Sequence, residues 1–226
     1  MARRALVTPF THWKTFNQLY VEIFTTALGN LGKINSPSIH EDAISERLIV
    51  ILREVCFNLN RSRCHGEIRT PIWEAPIPPV NENELQGGKK RKRPDFTCYY
   101  FNAYANSPDQ QEIPFHVECK RLGSSTFPSW NLNENYVVYG IKRFDCSTHQ
   151  YGQRSPVGMM IGYIINMTPP EIETEVNRYQ KKHLPHCPDI AFMFDTNAPF
   201  KTHQHIQRSS VEPAQFQLIH LWADLR

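Results

Sequence analysis

The chain contains no apolar stretch near the roughly 18 residues that a membrane-crossing helix needs, so its 226 residues are not expected to span a bilayer. Its opening, Met-Ala-Arg-Arg, is not followed by an apolar signal core, and a cytoplasmic location is expected. Six cysteines (Cys56, Cys64, Cys98, Cys119, Cys146, Cys187) include no C-x-x-C pair. That spacing speaks against a disulfide framework and for reduced, mostly buried thiols. Cys64-His65 and His186-Cys187 lack the tetrad spacing of a zinc site. Repeats and low-complexity tracts are absent, and one large domain with additions is the natural reading. Net charge is only +3, too small to mark a polyanion-binding protein by itself. No helix-turn-helix or zinc finger is visible, which leaves any base specificity to loops or to a partner.

What is present is an ordinary globular composition, 40% apolar and 21% charged, long enough to bury a substantial core. Trp13, Phe16, Tyr20, Ile23 and Phe24 fall at helical spacing and predict a helix over Phe10 to Leu28, ended by Gly29 and Gly32. A second helix is predicted from about Ser38, with Ile44, Leu48, Ile51, Leu52, Val55 and Leu59 as its stripe. The four prolines at 71, 76, 78 and 79 make the next segment a broken or edge strand. Strands are expected over Asp95 to Phe101 and from Ile113 through the following residues, as a hairpin with a long polar turn. Asn133 to Phe144 reads as a helix, and Gly158 to Ile165 as a strand buried on both faces and therefore parallel to its neighbours. Glu171 to His183 is a polar helix with charges that match its dipole. Two late strands, His203 to Arg208 and Phe216 to Trp222, complete an α/β order with a mixed sheet flanked by helices.

Glu118-Cys119-Lys120 is the single point where an acid stands two residues before a lysine. Of the three Pro-Asp pairs, Pro108-Asp109 lies in a turn-like stretch and Pro188-Asp189 follows the Glu-x-Lys. Only Pro94-Asp95 opens a β-rich segment. Strand alternation puts Glu118 and Lys120 on one face and Asp95, Thr97 and Tyr99 on one face, while Cys119 turns to the core. Two carboxylates and an ammonium brought to one point are suited to Mg²⁺ and to positioning water for phosphodiester hydrolysis.

A basic block, Lys89, Lys90, Arg91, Lys92 and Arg93, precedes that aspartate directly. It reads as a phosphate-contacting loop, with a solvated loop and a nuclear-localisation signal as alternatives. Arg143, in the helix after the lysine strand, is placed either at a phosphate or on the free surface. Tyr136 reads as core and Tyr151 as core or nucleic-acid contact. His203, His205 and Arg208 fit a DNA-facing strand and a solvated edge strand equally well. His149 has no evident partner.

The Pro94-Asp95 and Glu118-x-Lys120 motifs, in this order of elements, resemble the PD-(D/E)XK nucleases, the restriction-endonuclease-like superfamily. The resemblance spans roughly Ser38 to Ile165 and covers a core of helix, three-stranded meander, helix and strand. It implies a single nuclease-like domain, with 1–37 as a helical addition, 38–165 as the core and 166–226 as a C-terminal helix and strands. It implies catalysis by Asp95, Glu118 and Lys120, with one or two Mg²⁺ or Mn²⁺ ions held by Asp95, Glu118 and the Cys119 carbonyl. A helical glutamate often joins such sites. Glu41 faces the sheet side of its helix and Glu46 faces solvent, so Glu41 is chosen, although Ser38-x-x-Glu41 also reads as a capping box. The implied substrate is nucleic acid, expected to be DNA. A homo-oligomer or a subunit of a controlled complex, such as an anti-phage or anti-plasmid effector, is the expected setting. The alternative is a catalytically silent nucleic-acid-binding or protein-interaction subunit on the same fold.

Overall fold

The computed structural model describes residues 9–33, 40–62, 67–79, 92–125, 130–194 and 197–226. Its helices and strands alternate as the composition of each segment requires. Helix α1 (Pro9–Leu31) and helix α2 (Glu41–Ser62) come first. A two-residue strand β1 (Ile72–Trp73), β2 (Phe96–Phe101), a single helical turn α3 (Pro108–Gln111) and β3 (Glu112–Leu122) follow. Then come α4 (Leu132–Val138), a 3-10 turn over Ile141–Asp145, and β4 (Val157–Ile164). Helix α5 (Pro169–His183), β5 (Phe200–Gln207) and β6 (Gln215–Asp224) close the chain.

The six strands form one mixed, open sheet in the order β1-β2-β3-β4-β6-β5. Strands β1, β2 and β3 are an antiparallel meander, β3, β4 and β6 run parallel, and β5 returns antiparallel at the far edge. The apolar run of β4 lies at the centre of that parallel set, with seven of its eight residues buried. Period-two alternation feeds two cores. On one face Phe96, Val117, Cys119, Ile161, Tyr163 and Leu221 pack against α1 and α2. On the other, Leu122, Met160, Ile164, Leu218 and Trp222 meet Tyr136, Val137, Phe144, Ile172 and Val176 from α4, the 3-10 turn and α5. The architecture is three layers, helices on both sides of an α/β sheet. The fold class expected from the sequence is met at that level.

Two local expectations are corrected and a third is met. The first helix runs on through Gly29 to Leu31. Asn133 to Phe144 is not one helix, because α4 ends at Val138 and a 3-10 turn begins at Ile141. Gly140 makes the break: a Cβ there would overlap the Tyr136 carbonyl and the Met160 methyl, so only glycine lets the turn lie this close to β4. The Pro-rich segment does contribute an edge strand, but of two residues only. Ser38 lies outside the described residues, as do Cys64 and His65. The five described cysteines are free thiols, four of them buried. No helix among the described residues is long and apolar enough to cross a membrane.

Candidate active site

The β2–β3 ladder stops where Asp95 stands. Phe96 pairs with Val117, so Asp95 lies opposite Glu118, while β3 continues to Leu122 against β4 alone. Two amides on the uncovered edge of β3 would be left without partners, and carboxylates take them. Asp95 Oδ2 accepts the Cys119 amide at 2.6 Å and Glu41 Oε2 accepts the Arg121 amide at 3.1 Å. The end of a strand pairing thus gathers acid side chains for a backbone reason, since buried N–H groups need acceptors.

Lys120 sits at the point where the acids meet. Its Nζ is 2.8 Å from Glu41 Oε1, 2.9 Å from Glu118 Oε1 and 4.0 Å from Asp95 Oδ2, and it donates to the Cys119 carbonyl at 2.6 Å. Arg143, from the 3-10 turn, forms a very close ion pair with the same Glu118 Oε1. The Glu118 side chain is wholly buried, Lys120 is 11% exposed, and Asp95, Glu41 and Arg143 are 24–29% exposed. The site therefore has a dry floor, Glu118, and an open rim.

Burial, reinforced by Asp95, pushes the Glu118 carboxyl up to about 8 against the pull of Lys120 and Arg143. Burial also raises Asp95, with the Lys120 ammonium and the Cys119 amide pulling back. For Lys120 burial works against the charge, but Glu118, Asp95 and Glu41 outweigh it and hold the ammonium well above its ordinary value. The lysine stays protonated at any physiological pH. It is a charge and a hydrogen-bond donor, and no base.

The residue set expected from sequence is brought together here: Asp95, Glu118, Lys120, Glu41 and Cys119 meet, with Arg143 added. Glu41 spends both oxygens on β3, so its carboxylate belongs to this cluster; its supposed capping partner, Ser38, is outside the described residues. Glu46 is exposed, as the helical phase predicts. Of the basic block, Lys89, Lys90 and Arg91 lie outside the described residues. Lys92 is half-buried, with its carbonyl bonded to the Ile77 amide, and Arg93 is exposed. Both precede Asp95 on the approach to the site.

Two residues are not where a nucleic-acid contact would be. Tyr151 is 1% exposed and Arg208 is 3% exposed. The Arg208 guanidinium donates to the carbonyls of Phe144, Tyr151, Gly152 and Pro213 and lies 4.0 Å over the Phe216 ring. His203 and His205 remain exposed on β5. His149 contacts Thr148 and the edge of Tyr151. Sequence reasoning missed the Arg143–Glu118 pair; its only advance signal was an arginine in the element after the lysine strand.

No protein-family model matches the chain, and neither a curated protein nor a solved structure matches it. Function must come from the site.

A divalent cation can be tested against the donors themselves. All are hard oxygens, the class preferred by Mg²⁺ and Mn²⁺. Glu118 Oε2 is buried with no hydrogen-bond partner, an expensive condition for a carboxylate oxygen. Burial keeps Glu118 protonated up to about pH 8, and ionised it would make three carboxylates against two cations, leaving one negative charge that a divalent ion would offset. Among the described residues no three His, Cys, Asp or Glu side chains close on a common point by themselves, because Lys120 holds that point. The donor set fits a cation at Asp95 and Glu118, beside the lysine.

Proposed function

We propose that the chain is a metal-dependent nuclease that hydrolyses phosphodiester bonds, with DNA as its substrate, on a restriction-endonuclease-like core. The observation that carries this reading is the buried, unpartnered Oε2 of Glu118, a residue that the strand register sets opposite Asp95, with the Lys120 ammonium 2.9 Å from the other oxygen of the same carboxylate. Supporting it is the order α2, meander β1-β2-β3, α4 and a β4 parallel to β3, the order that the resemblance implies. Asp95 and Glu118 would hold Mg²⁺ or Mn²⁺, with Glu41 at the rim. Such an ion polarises a phosphate and lowers the pKa of a bound water. The chain's own part is to keep Lys120 protonated so that it orients water or offsets charge on the phosphoryl oxygens. Lys92 and Arg93, beside Asp95, are suited to phosphate contacts that carry no base information.

One observation favours the silent-subunit reading. Lys120 already pairs with Glu41, with one oxygen of Glu118 and with the Cys119 carbonyl, so much of the cluster is paired without any metal. Cleavage separates the two. The purified chain should nick plasmid or degrade single-stranded DNA with Mg²⁺ or Mn²⁺ and stop with chelator. Asp95→Ala, Glu118→Ala and Lys120→Ala should each abolish cutting. A folded, partner-supplied protein inert on DNA and RNA with either ion refutes the nuclease.

A further inference from the structure

The two oxygens of Glu118 are treated very differently. Oε1 receives both the Lys120 ammonium and the Arg143 guanidinium, while Oε2 receives nothing and is sealed from solvent. A carboxylate loaded with two cations on one oxygen has little rotational freedom, because turning it would break two charge-assisted bonds at once. We propose that Arg143 is a positioning residue: it pins Glu118 Oε1 so that Oε2 is presented to a divalent cation, and it does not grip a phosphate. This rests on the nuclease reading above and assigns Arg143 a different partner from the one its sequence position suggests.

Arg143 is itself held by its surroundings. The Gly140 break releases it from the line of α4 and sets it on the 3-10 turn. Its carbonyl accepts the Tyr151 amide at 3.3 Å, and its guanidinium carbon lies 5.9 Å from the Tyr151 ring centre. Its Nε is buried without a partner. Arg208 fastens both flanks of the segment, through the carbonyls of Phe144 on one side and of Tyr151 and Gly152 on the other. His116 Nδ1 accepts the Gly152 amide at 3.0 Å. A side chain meant to follow a mobile backbone phosphate gains nothing from such fixing. One meant to hold a buried carboxylate in a single orientation requires it.

The test uses the full chain and two binding measurements. Mn²⁺ binding is followed by calorimetry or by loss of the free-ion paramagnetic signal. Duplex DNA binding is followed in chelator across a salt titration. Arg143→Gln should raise the Mn²⁺ dissociation constant by about 10–100-fold, the usual cost of losing a partner behind a metal ligand, and leave duplex affinity and its salt slope unchanged. Arg143→Lys, which keeps the charge, should recover part of the Mn²⁺ affinity. Unchanged Mn²⁺ binding, with a duplex salt slope shallower by about 0.9, would make Arg143 a phosphate contact and overturn the proposal. No change in either measurement overturns it too. If the wild-type chain binds no Mn²⁺, the metal-dependent reading itself fails, a result distinct from a wild type that binds and an Arg143 variant that binds equally well. Should Arg143→Gln lower thermal stability, the same substitution in a Glu118→Gln background must lower it less; an equal loss in both backgrounds refutes the pairing.

Discussion

Replacing His220 with glutamine should remove one proton's worth of pH dependence from the stability of the fold. His220 lies fully buried on β6, within a chain of hydrogen bonds whose directions follow, for the neutral ring, from the Pro188 carbonyl, which can only accept and so turns the Gln204 amide oxygen to His220. Trp222 Nε1 donates to the Tyr136 hydroxyl at 3.0 Å, the hydroxyl donates to His220 Nδ1 at 2.8 Å, and His220 Nε2–H is left to donate to Gln204 Oε1 at 3.3 Å. Gln204 passes its amide protons to Gln180 Oε1 and the Pro188 carbonyl. A second ring proton would have to turn the Tyr136 hydroxyl proton away from Nδ1, and burial, helped by His203, lowers the His220 pKa to about 3. An unfolded histidine titrates near 6.5. Between those values the unfolded chain takes up the proton and the folded chain does not, so stability is complete above pH 6.5 and declines as pH falls. The decline approaches about 1.4 kcal/mol per pH unit, which amounts to roughly 2–3 kcal/mol between pH 7.5 and 4.5. His116 acts in the same direction, whereas the raised carboxyls of Glu118 and Asp95 act in the opposite one. All three cancel when wild type and variant are compared. Urea unfolding at pH 7.5, 6.5, 5.5 and 4.5, read by tryptophan fluorescence, measures the difference. The variant should start about 1–3 kcal/mol lower, since Tyr136 and Gln204 lose their shared partner, and then gain roughly 2–3 kcal/mol on wild type by pH 4.5. Parallel profiles would mean that His220 accepts its proton inside the fold.

Three further outcomes are expected. Gly140→Ala should destabilise by about 1–3 kcal/mol in thermal or urea unfolding, because the new methyl collides with the Tyr136 carbonyl and Met160; neutral behaviour would show that the turn shifts freely. Glu41→Gln should lower the cleavage rate strongly and Glu46→Gln should not; a loss of stability with an unchanged rate would reduce Glu41 to a structural partner of Lys120 and the Arg121 amide. Neutralising Lys92 and Arg93 should flatten the salt dependence of duplex binding by roughly 0.9 per lost phosphate contact, measured in the Lys120→Ala chain to prevent cutting, and an unchanged slope would move the DNA path elsewhere.

The strands were the most legible part of the chain. The apolar run of β4, the alternation around Glu118 and the β-rich stretch after Asp95 all report periods set by the pleat, and these survive any tertiary detail. Helical phase alone separated Glu41 from Glu46. Other features depend on contacts across distance, which no local pattern encodes. The Gly140 break arises because Met160, on another strand, occupies the space where a side chain would go. Arg143 and Glu118 stand 25 residues apart in sequence, so their pairing could not be read from either neighbourhood. Arg208 has the opposite strand parity from His203 and His205, that of buried Gln204 and Ile206, and just past the end of β5 it meets four carbonyls, three of them far off in sequence.

That last placement has a consequence for motion. The stretch from Cys146 to Pro156 contains no helix or strand, and one guanidinium ties its carbonyls to the turn between β5 and β6. Local opening of such a stretch has to release every fastening that holds it. One set of them is donated from the edge hairpin of the sheet, beside the bond from the Gly152 amide to His116. Fraying of β5 therefore removes one restraint on the segment behind the acid cluster and should raise the rate at which its amides exchange. A ligand or partner that capped that edge strand would slow the opening without touching the cluster.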